Sequence, residues 1–326
     1  MSVYQKVFAR LDVPVLTRLI RDAALKFVDI GGRGEAFSPL LPLASFADYY
    51  VAEPDDVEAT RLLEQLPRQA PWRSVTVIPK AIANGTEMRS LYVTQEPGMS
   101  SLLEPDSRLT QRYYLGRKFG VTDVVQVPTI PLDAAAAEYG FADATFLKID
   151  TQGTELEVLQ SARHLLPLLA GIHTESSFQP FYKGQPLFAD VDRFLREAGF
   201  DLVTLNRTTL RRAAYREALY SKREIAWAHC LYLRDATTLA AAPGASLTRI
   251  ARLLALVVAF QQFDLAFDIV PVVRSAGFLD DAESKQLDQD IERCAMYATR
   301  HVVSKAGSDR AAALTAGSFR DKSQLD

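Results

Sequence analysis

The chain has 326 residues, of which 48% are apolar and 24% are charged, and its formal net charge is −3. This composition is that of an ordinary globular protein, and the length suffices for one large α/β domain with a smaller appendage. Because the chain has no overall positive charge, neither nucleic acid nor an anionic membrane surface is expected as a partner.

The cysteines and the apolar segments indicate in which cellular compartment the protein is expected. Cys230 and Cys294 lie far apart and lack the spacing of a zinc site. Reduced thiols in the cytoplasm are expected, with a single disulfide as the alternative. The N-terminus has no apolar segment of the secretory type. The most apolar run, residues 250–260, is too short to cross a bilayer and is expected to form a buried or dimer-forming helix.

Apolar periodicity divides the chain into four parts. Residues 1–24 are expected to form a helical lead-in broken near Pro14, and residues 25–239 alternate strands with helices, which predicts a mainly parallel sheet covered on both faces. A helical extension is expected over residues 245–305, with Pro271 and Gly277 separating its helices, and a flexible tail over 306–326.

The predicted strands cover residues 26–30, 49–52, 75–79, 124–127, 145–149, 171–174, 201–205 and 225–234, with an extra extended piece at 88–94. The predicted helices cover residues 55–66, 132–139, 155–166, 187–198, 247–270 and 281–304.

A glycine-rich turn follows the first predicted strand. The run from Asp29 to Gly34 reads DIGGRG, and its glycines allow a ligand to approach the backbone closely. Asp29 stands where a dinucleotide-binding motif has its first glycine, and a carboxylate there suits a cationic group such as an amino-acid ammonium. A tight turn without a ligand is the alternative.

Two further acidic residues follow predicted strands. Glu53 comes 22 residues after Gly31, a position from which a carboxylate can bind the hydroxyls of a ribose. Asp150 follows the strand at 145–149, and Thr151 or Thr154 could cap the next helix in its place. Since parallel strands bring their carboxyl ends to one edge, we expect a nucleotide-like cofactor at this edge and hence an enzyme.

The chain resembles the FkbM-type family of S-adenosylmethionine-dependent methyltransferases, which have the class I methyltransferase fold. The matching motifs are VDIGGRG at 28–34, EPD at 53–55, GMSSLLEP at 98–105, LKIDTQGTE at 147–155 and TESSFQPFYKGQPLF at 174–188. The likeness covers roughly residues 25–235. It implies a Rossmann-like, doubly wound and mainly parallel seven-stranded sheet with helices on both faces, followed here by the C-terminal helices.

The same resemblance implies S-adenosyl-L-methionine as the cofactor. The residues that it assigns to cofactor binding are Asp29, Gly31, Gly32, Gly34, Glu53, Pro54, Lys80, Ala81, Ile82 and Asp150. Among them, Glu53 would hold the ribose, residues 80–82 would lie near the adenine, and Asp150 would lie near the sulfonium.

FkbM-type relatives are linked with O-methylation, which makes a hydroxyl of a sugar, glycan or polyketide-like natural product the expected acceptor. The transfer is in line, and a base near the acceptor oxygen would assist it. Asp150 is the first candidate base, Glu175 the second and His173 the third; alternation along the strand puts the last two on the same side. The expected acceptor-binding residues are Ser100, Ser101, Gln152, Phe178, Tyr182 and Lys183.

Other functions remain open at this point. A nicotinamide-dependent oxidoreductase would also use the glycines and Glu53, although Asp29 argues against it, and a non-catalytic module could keep the fold without turnover. No metal is expected, since none of the four histidines stands in a ligand pair; Mg²⁺ held by edge carboxylates is the alternative. The C-terminal helices either cover the sheet or form a homodimer.

Overall fold

A computed structural model describes residues 11–215 and 220–315, with side chains described as far as residue 300. The first ten residues of the predicted lead-in therefore lie outside the described part, as does the predicted flexible tail from residue 316 onward. The strands are β1 (Leu25–Ile30), β2 (Ala47–Ala52), β3 (Ser74–Ile78), β4 (Ala81–Ile82), β5 (Met88–Thr94), β6 (Val121–Ile130), β7 (Phe146–Ile149), β8 (Gly171–Ser177), β9 (Asp201–Leu210) and β10 (Glu224–Leu233).

The main sheet has seven strands in the order β3-β2-β1-β7-β8-β10-β9. Strand β10 is antiparallel to both of its neighbours, and the other pairings are parallel. The central strands β1 and β2 are almost entirely buried, as expected for parallel strands covered on both faces. The predicted mainly parallel seven-stranded sheet is confirmed.

A small second sheet has the order β4-β6-β5, with β4 parallel and β5 antiparallel to β6. It contains the predicted extended piece at 88–94 and the predicted strand at 124–127, which is longer than expected. The loop that follows β5 contains residues 97–102, and several of these line a cavity at the edge of the main sheet.

The helices are α1 (Pro14–Asp22), α2 (Asp56–Gln69), α3 (Ser107–Thr110), α4 (Leu132–Tyr139), α5 (Glu155–Gln160), α6 (Phe188–Glu197), α7 (Ala236–Ala241), α8 (Leu247–Ala259), α9 (Phe263–Ser275) and α10 (Asp281–Thr315). The side chain of Asp55 caps α2 by accepting hydrogen bonds from the backbone N–H groups of Val57 and Glu58. Gly140, with φ of 83°, ends α4.

The helices lie on both faces of the sheet and enclose two cores. On the first face, Phe27 and Phe146 pack with α1, α2 and the C-terminal helices α7 to α10. On the second face, Val28 and Leu147 pack with α4, α5 and α6. Successive residues of β1 thus point to opposite faces, which determines where each polar side chain at the strand ends can reach.

The C-terminal helices are part of the first core. Every residue of α8 from Ile250 to Ala259 is buried, so its apolar side chains are already used within the chain. Buried Arg252 donates hydrogen bonds to the carbonyl oxygens of Ala23, at 3.0 Å, and Asp143, at 2.8 Å. It also forms a 3.0 Å ion pair with the Asp143 carboxylate. These contacts tie the extension to the loops that precede β1 and β7.

Pro14 begins α1, where a missing N–H costs nothing; the predicted break of the lead-in near Pro14 also depends on residues 1–10, which lie outside the described part. Two other predicted boundaries are wrong. Pro271 lies inside α9; the break instead follows Ala259, the last residue of α8, where Gln261 has a φ of 59° and the N–H of Gln262 bonds to the carbonyl of Val257. Helix α5 ends at Gln160 rather than near residue 166, since the Ser161 hydroxyl donates to the Val158 carbonyl.

Cys230 and Cys294 are both buried and unpaired, on opposite faces of the sheet, so the alternative of a disulfide between them is not realised. Within residues 11–215 and 220–315 we find no helix with the length and apolar character that spanning a membrane requires.

Candidate functional site

The carboxyl ends of β1, β2, β7 and β8 meet at one edge of the sheet, where two neighbouring cavities open. The first, called here the glycine cavity, is lined among others by Gly31, Glu53, Pro54, Ala81, Ile82, Ser100, Ser101, Asp150 and Gln152. The second, called here the acid cavity, is lined among others by Met99, Phe119, Asp150, Gln152, Glu175, Tyr182, Trp227 and His229. Asp150 and Gln152 line both cavities.

The ends of β1 and β7 approach each other so closely that position 31 requires a glycine. Its φ is 74°, and an added Cβ would lie 1.9 Å from the carbonyl oxygen of Asp150. The other two glycines of the turn do not line the glycine cavity. A Cβ on Gly32 would meet Val51 at 2.2 Å, and the N–H of Gly34 bonds to the carboxylate of Glu58 at 2.8 Å.

Glu53 lies at the end of β2 with its side chain in the glycine cavity. It is 5% exposed, and one carboxylate oxygen accepts a hydrogen bond from the N–H of Asp55 at 2.9 Å. Burial raises the pKa of Glu53 above its usual range. Pro54 follows it in the wall, and Ala81 and Ile82 of β4 add apolar surface. The cavity therefore combines a buried carboxylate with an apolar side.

Asp29 does not reach either cavity, in contrast to its predicted contact with a cationic ligand. Its side chain points to the first face, where the Tyr49 hydroxyl donates to it at 2.6 Å and the Lys148 ammonium lies 3.0 Å away. Burial alone would lower the pKa of Lys148, but Asp29 and Asp150 outweigh burial and the pKa is raised. The charge of Asp29 is thus already balanced by a lysine of this chain.

Lys80 also lies apart from the glycine cavity. Its ammonium forms a 2.8 Å ion pair with Glu138 and lies 5.6 Å from the centre of the Tyr139 ring. Of the three residues 80–82 expected near an adenine, only Ala81 and Ile82 line the cavity.

Gln152 joins two carboxylates between the cavities. Its amide nitrogen donates to Asp150 at 2.8 Å and to Glu175 at 3.1 Å, and its amide oxygen lies 3.2 Å from the hydroxyl of Tyr182. Its φ is 55°, a left-handed conformation that a residue with a side chain rarely adopts. A strained residue that holds two acids is typical of a functional site.

The turn that carries Gln152 is held from below by Glu155. The buried carboxylate of Glu155 accepts hydrogen bonds from the N–H groups of Thr151 and Gly153, each at 3.0 Å. Burial raises the pKa of Glu155 to about 6. Asp150 and Gln152 therefore project from a turn whose backbone is satisfied without them.

Glu175 lies in the wall of the acid cavity with only 12% of its side chain exposed. Burial, followed by the neighbouring Asp150 and Glu155, raises its pKa well above the usual range. Its register partner across β10 is His229, whose Nε2 lies 3.7 Å from the Glu175 carboxylate. The cavity thus presents a carboxyl group that tends to keep its proton beside an imidazole.

His173 lies on the same side of β8 as Glu175, as predicted, but it lines neither cavity. Its ring stacks on His229 with the centres 5.7 Å apart and contacts Phe37 at 4.6 Å. Burial, followed by His229 and Lys148, lowers the pKa of His173 to about 3. His173 is therefore a neutral packing residue, and His229 rather than His173 lines the acid cavity.

The expected acceptor-binding residues are divided among three places. Tyr182 and Gln152 lie in the acid cavity, whereas Ser100 and Ser101 line the glycine cavity. Phe178 stacks on Phe188 at 5.0 Å and packs against the second core. Lys183 forms a 2.7 Å ion pair with Glu104 and lines neither cavity.

The wall of the acid cavity also contains residues that were not predicted as site residues, among them Phe119, Trp227 and His229. Trp227 and His229 alternate along β10, so both point to the same face as Glu175. The pattern of alternation was visible in the sequence, but the antiparallel register that sets His229 opposite Glu175 was not. Among the described residues, no three His, Cys, Asp or Glu side chains are placed to hold a metal ion.

The chain is similar to several solved methyltransferase structures at low identity. Magnesium protoporphyrin IX methyltransferase from Synechocystis PCC 6803, solved with bound S-adenosylmethionine, is 14% identical, with 71% of this chain and 79% of that chain covered and a TM-score of 0.32. A proposed tRNA (m1A22) methyltransferase from Streptococcus pneumoniae is 10% identical, with 86% and 97% covered and a TM-score of 0.32. The human methyltransferase 10 domain containing protein is 13% identical, with 69% and 82% covered and a TM-score of 0.28.

No curated protein matches the sequence. The family model of the methyltransferase FkbM domain matches residues 47–202, which include Glu53, Asp150, Gln152, Glu175 and Tyr182. The FkbM family uses S-adenosylmethionine, which agrees with the expected cofactor. Residues 47–202, a little under half of the chain, thus match a methyltransferase FkbM domain, in agreement with the resemblance to the FkbM-type family.

Proposed function

We propose that the glycine cavity binds S-adenosylmethionine and that the acid cavity binds the hydroxyl group that receives its methyl group. The observation that carries this proposal is the shared wall of the two cavities, formed by Gly98, Asp150 and Gln152. A donor and an acceptor bound on either side of one wall meet at that wall, as in-line transfer requires.

The residues of the glycine cavity fit this cofactor. Gly31 brings backbone to the cavity surface at a point that a side chain would block, and the buried Glu53 carboxylate can accept both hydroxyl hydrogens of a ribose. Ala81 and Ile82 offer an apolar surface to an adenine. When bound, S-adenosylmethionine supplies a methyl group on a positively charged sulfur.

Asp150 is the best-placed base for the acceptor hydroxyl. It borders both cavities, and the Gln152 amide fixes its orientation. Glu175 lies farther from the glycine cavity, and its raised pKa favours the protonated carboxyl group when no cofactor is bound. His229, beside Glu175, can take over a proton that leaves the acceptor.

The walls of the acid cavity support a sugar, glycan or natural-product alcohol as the acceptor. Tyr182, Trp227 and Phe119 provide ring faces, and Glu175, His229 and Gln152 provide hydrogen-bonding groups. Ring faces combined with a few polar groups are typical of sites that orient a hydroxylated ligand.

The competing functions have weaker support. A nicotinamide-dependent oxidoreductase would use Glu53 in the same way, but the family match favours methyl transfer. A non-catalytic module would have no need for the strained Gln152 or for the two acids that it joins. A homodimer would have to use the outer sides of α9 and α10, where Leu265 and Met296 are exposed, because α8 is buried.

The proposal is tested by incubating the full chain with methyl-labelled S-adenosylmethionine and a panel of sugars, glycans and polyketide alcohols, followed by mass spectrometry. We expect a labelled O-methyl product, accompanied by S-adenosylhomocysteine, and we expect Asp150→Asn to abolish its formation. A labelled amine, or turnover that Asp150→Asn leaves intact, would contradict the proposed chemistry.

A further inference from the structure

A third cavity, of about 960 Å³, lies next to the acid cavity. Its wall includes Tyr113, Tyr114, Arg117, Lys118 and Phe119, and we call it the arginine cavity. Phe119 lines both the arginine cavity and the acid cavity, so one ring separates the two spaces.

The partition between the cavities is a small aromatic core. Phe119 stacks on Phe181 with the ring centres 5.4 Å apart, and Tyr182 lies edge-on to Phe119 at 5.9 Å. Pro105 forms a β-bridge with Tyr182, which fixes the loop that borders the arginine cavity. An acceptor bound in the acid cavity can therefore extend past the Phe119 ring into the arginine cavity.

The arginine cavity is positively charged, although the chain as a whole is negative. The segment 107–120, which forms most of its wall, carries four basic residues and no acidic residue, in a chain of net charge −3. Of the four, Arg117 and Lys118 line the cavity, whereas Arg108 and Arg112 lie outside its wall. Such a local excess of cations beside a cavity favours an anionic ligand.

The cations of the wall are only partly balanced. Arg117 is exposed and has no ion pair with any residue that the structure describes. Lys118 lies 3.4 Å from Glu96, and both side chains are nearly half exposed. Glu104, the acid in this wall, is already paired with Lys183 at 2.7 Å. The cavity thus retains a net positive charge that an anionic ligand could neutralise.

We propose that the arginine cavity binds an anionic group of the methyl acceptor, a phosphate or a carboxylate, while the reacting hydroxyl lies in the acid cavity. The inference rests on the proposed function and specifies its substrate class: an acidic sugar or sugar phosphate rather than a neutral one. A guanidinium binds either group through paired N–H bonds, and Lys118 adds a second charge. The exposed ring of Tyr114 offers a surface to the part of the acceptor between its two ends.

The test is calorimetric titration of the full chain, in the presence of S-adenosylhomocysteine, with glucose, glucose 1-phosphate and glucuronic acid. We expect both anionic sugars to bind more tightly than glucose, and we expect their affinity to fall as the salt concentration rises. The double variant Arg117→Gln/Lys118→Gln should lose roughly tenfold or more in affinity for the anionic sugars, because charge-assisted hydrogen bonds are removed. Its affinity for glucose should not change.

The matched control is Arg108→Gln/Arg112→Gln, which removes the same charge from the same segment at residues that do not line the cavity. An equal loss in both double variants, or equal binding of charged and neutral sugars, would overturn the proposal. Tighter binding of a uridine ten-mer than of glucose 1-phosphate would overturn it in favour of a nucleic-acid acceptor. If the parent chain binds the anionic sugars but shows no binding of S-adenosylhomocysteine, the anion site is supported and the proposed function is contradicted.

Discussion

At the residue scale, Gln152 is the side chain on which the geometry between the two cavities depends. It adopts a left-handed backbone conformation and donates to both Asp150 and Glu175. Because asparagine accepts this conformation more readily than glutamine, Gln152→Asn should change the free energy of unfolding by no more than about 1 kcal/mol. Its shorter amide cannot join the two acids.

We therefore expect Gln152→Asn to lower kcat by roughly tenfold or more, because misplacement of reacting groups by about 1 Å is costly. Steady-state kinetics and urea unfolding of the same preparation measure both effects. Gln179→Asn, on the neighbouring loop outside both cavities, is the control. Full activity of Gln152→Asn would show that the amide bridge has no catalytic use.

His173 makes the stability of the protein depend on pH. Its folded pKa of about 3 lies below the unfolded value of 6.5, so the folded state disfavours the charged ring. The contribution is complete above pH 6.5 and is lost as the pH falls toward 3. By pH 5 the loss should reach at most about 2 kcal/mol, from roughly 1.5 pH units at 1.36 kcal/mol each.

We expect His173→Phe to reduce the drop in the free energy of unfolding between pH 7 and pH 5. Phenylalanine keeps the ring contacts with Phe37 and His229 but cannot be protonated. Urea unfolding at the two pH values measures the drop. His164→Gln, at an exposed position, should leave it unchanged, and an identical drop in His173→Phe and the parent would refute the assignment.

At the element scale, the contact between the ends of β1 and β7 depends on Gly31. An alanine there would place its Cβ 1.9 Å from the Asp150 carbonyl oxygen, whereas Gly34, also at positive φ, has no atom within 4 Å of such a Cβ. Gly31→Ala should therefore cost several kcal/mol, on the order of 3, and weaken cofactor binding. Gly34→Ala should cost only about 1 to 2 kcal/mol of backbone strain.

Chemical denaturation of both glycine variants, with S-adenosylmethionine titrated into each, provides the comparison. Similar losses of stability in the two variants would mean that the strand ends separate easily. In that case Asp150 would not be held against the glycine turn.

The elements themselves could largely be predicted from the sequence. Strands such as β1 and β7 are short apolar runs that end in an acid or a glycine, and helix α4 has the predicted bounds. The helix ends that depend on local chemistry could not be predicted. Helix α9 accommodates Pro271 in its interior, and the chain turns after α8 through Gln261, at positive φ, rather than through a glycine.

The site could be predicted only in part, for a related reason. Glu53 and Asp150 directly follow β2 and β7, and Glu175 lies near the end of β8, so their convergence follows from the strand order β2-β1-β7-β8. Two features depend on partners distant in sequence: the pairing of His229 with Glu175, and the neutralisation of Asp29 by Lys148. Neither the antiparallel register of β10 nor the face to which Asp29 points could be derived without the three-dimensional packing.

At the scale of the whole molecule, the C-terminal helices stabilise the sheet on which the site is built. Arg252 of α8 donates to carbonyl oxygens just before β1 and β7, the two strands that end at Gly31 and Asp150. Arg252→Met should therefore destabilise the entire chain by about 3 kcal/mol, since it leaves buried acceptors without partners. We expect one cooperative unfolding transition, with cofactor binding and helical signal lost together.

Arg249→Met is the control for this variant. Arg249 lies on the same helix, and its bond to the Pro167 carbonyl is solvent-exposed, so its loss should cost less than about 1 kcal/mol. Two separate transitions in the Arg252→Met variant, with the sheet unfolding at the parent temperature, would show that the helices form an independent unit.

The central claim is that the glycine cavity binds S-adenosylmethionine through Glu53. Calorimetric titration of the full chain with S-adenosylmethionine and, separately, with NAD tests it most directly. We expect saturable one-to-one binding of S-adenosylmethionine, no binding of NAD, and a loss of roughly tenfold or more in Glu53→Ala. Glu58→Ala, which removes a carboxylate outside the cavity, should bind like the parent. Binding of NAD alone, or equal affinity for S-adenosylmethionine in the parent and Glu53→Ala, would contradict the account.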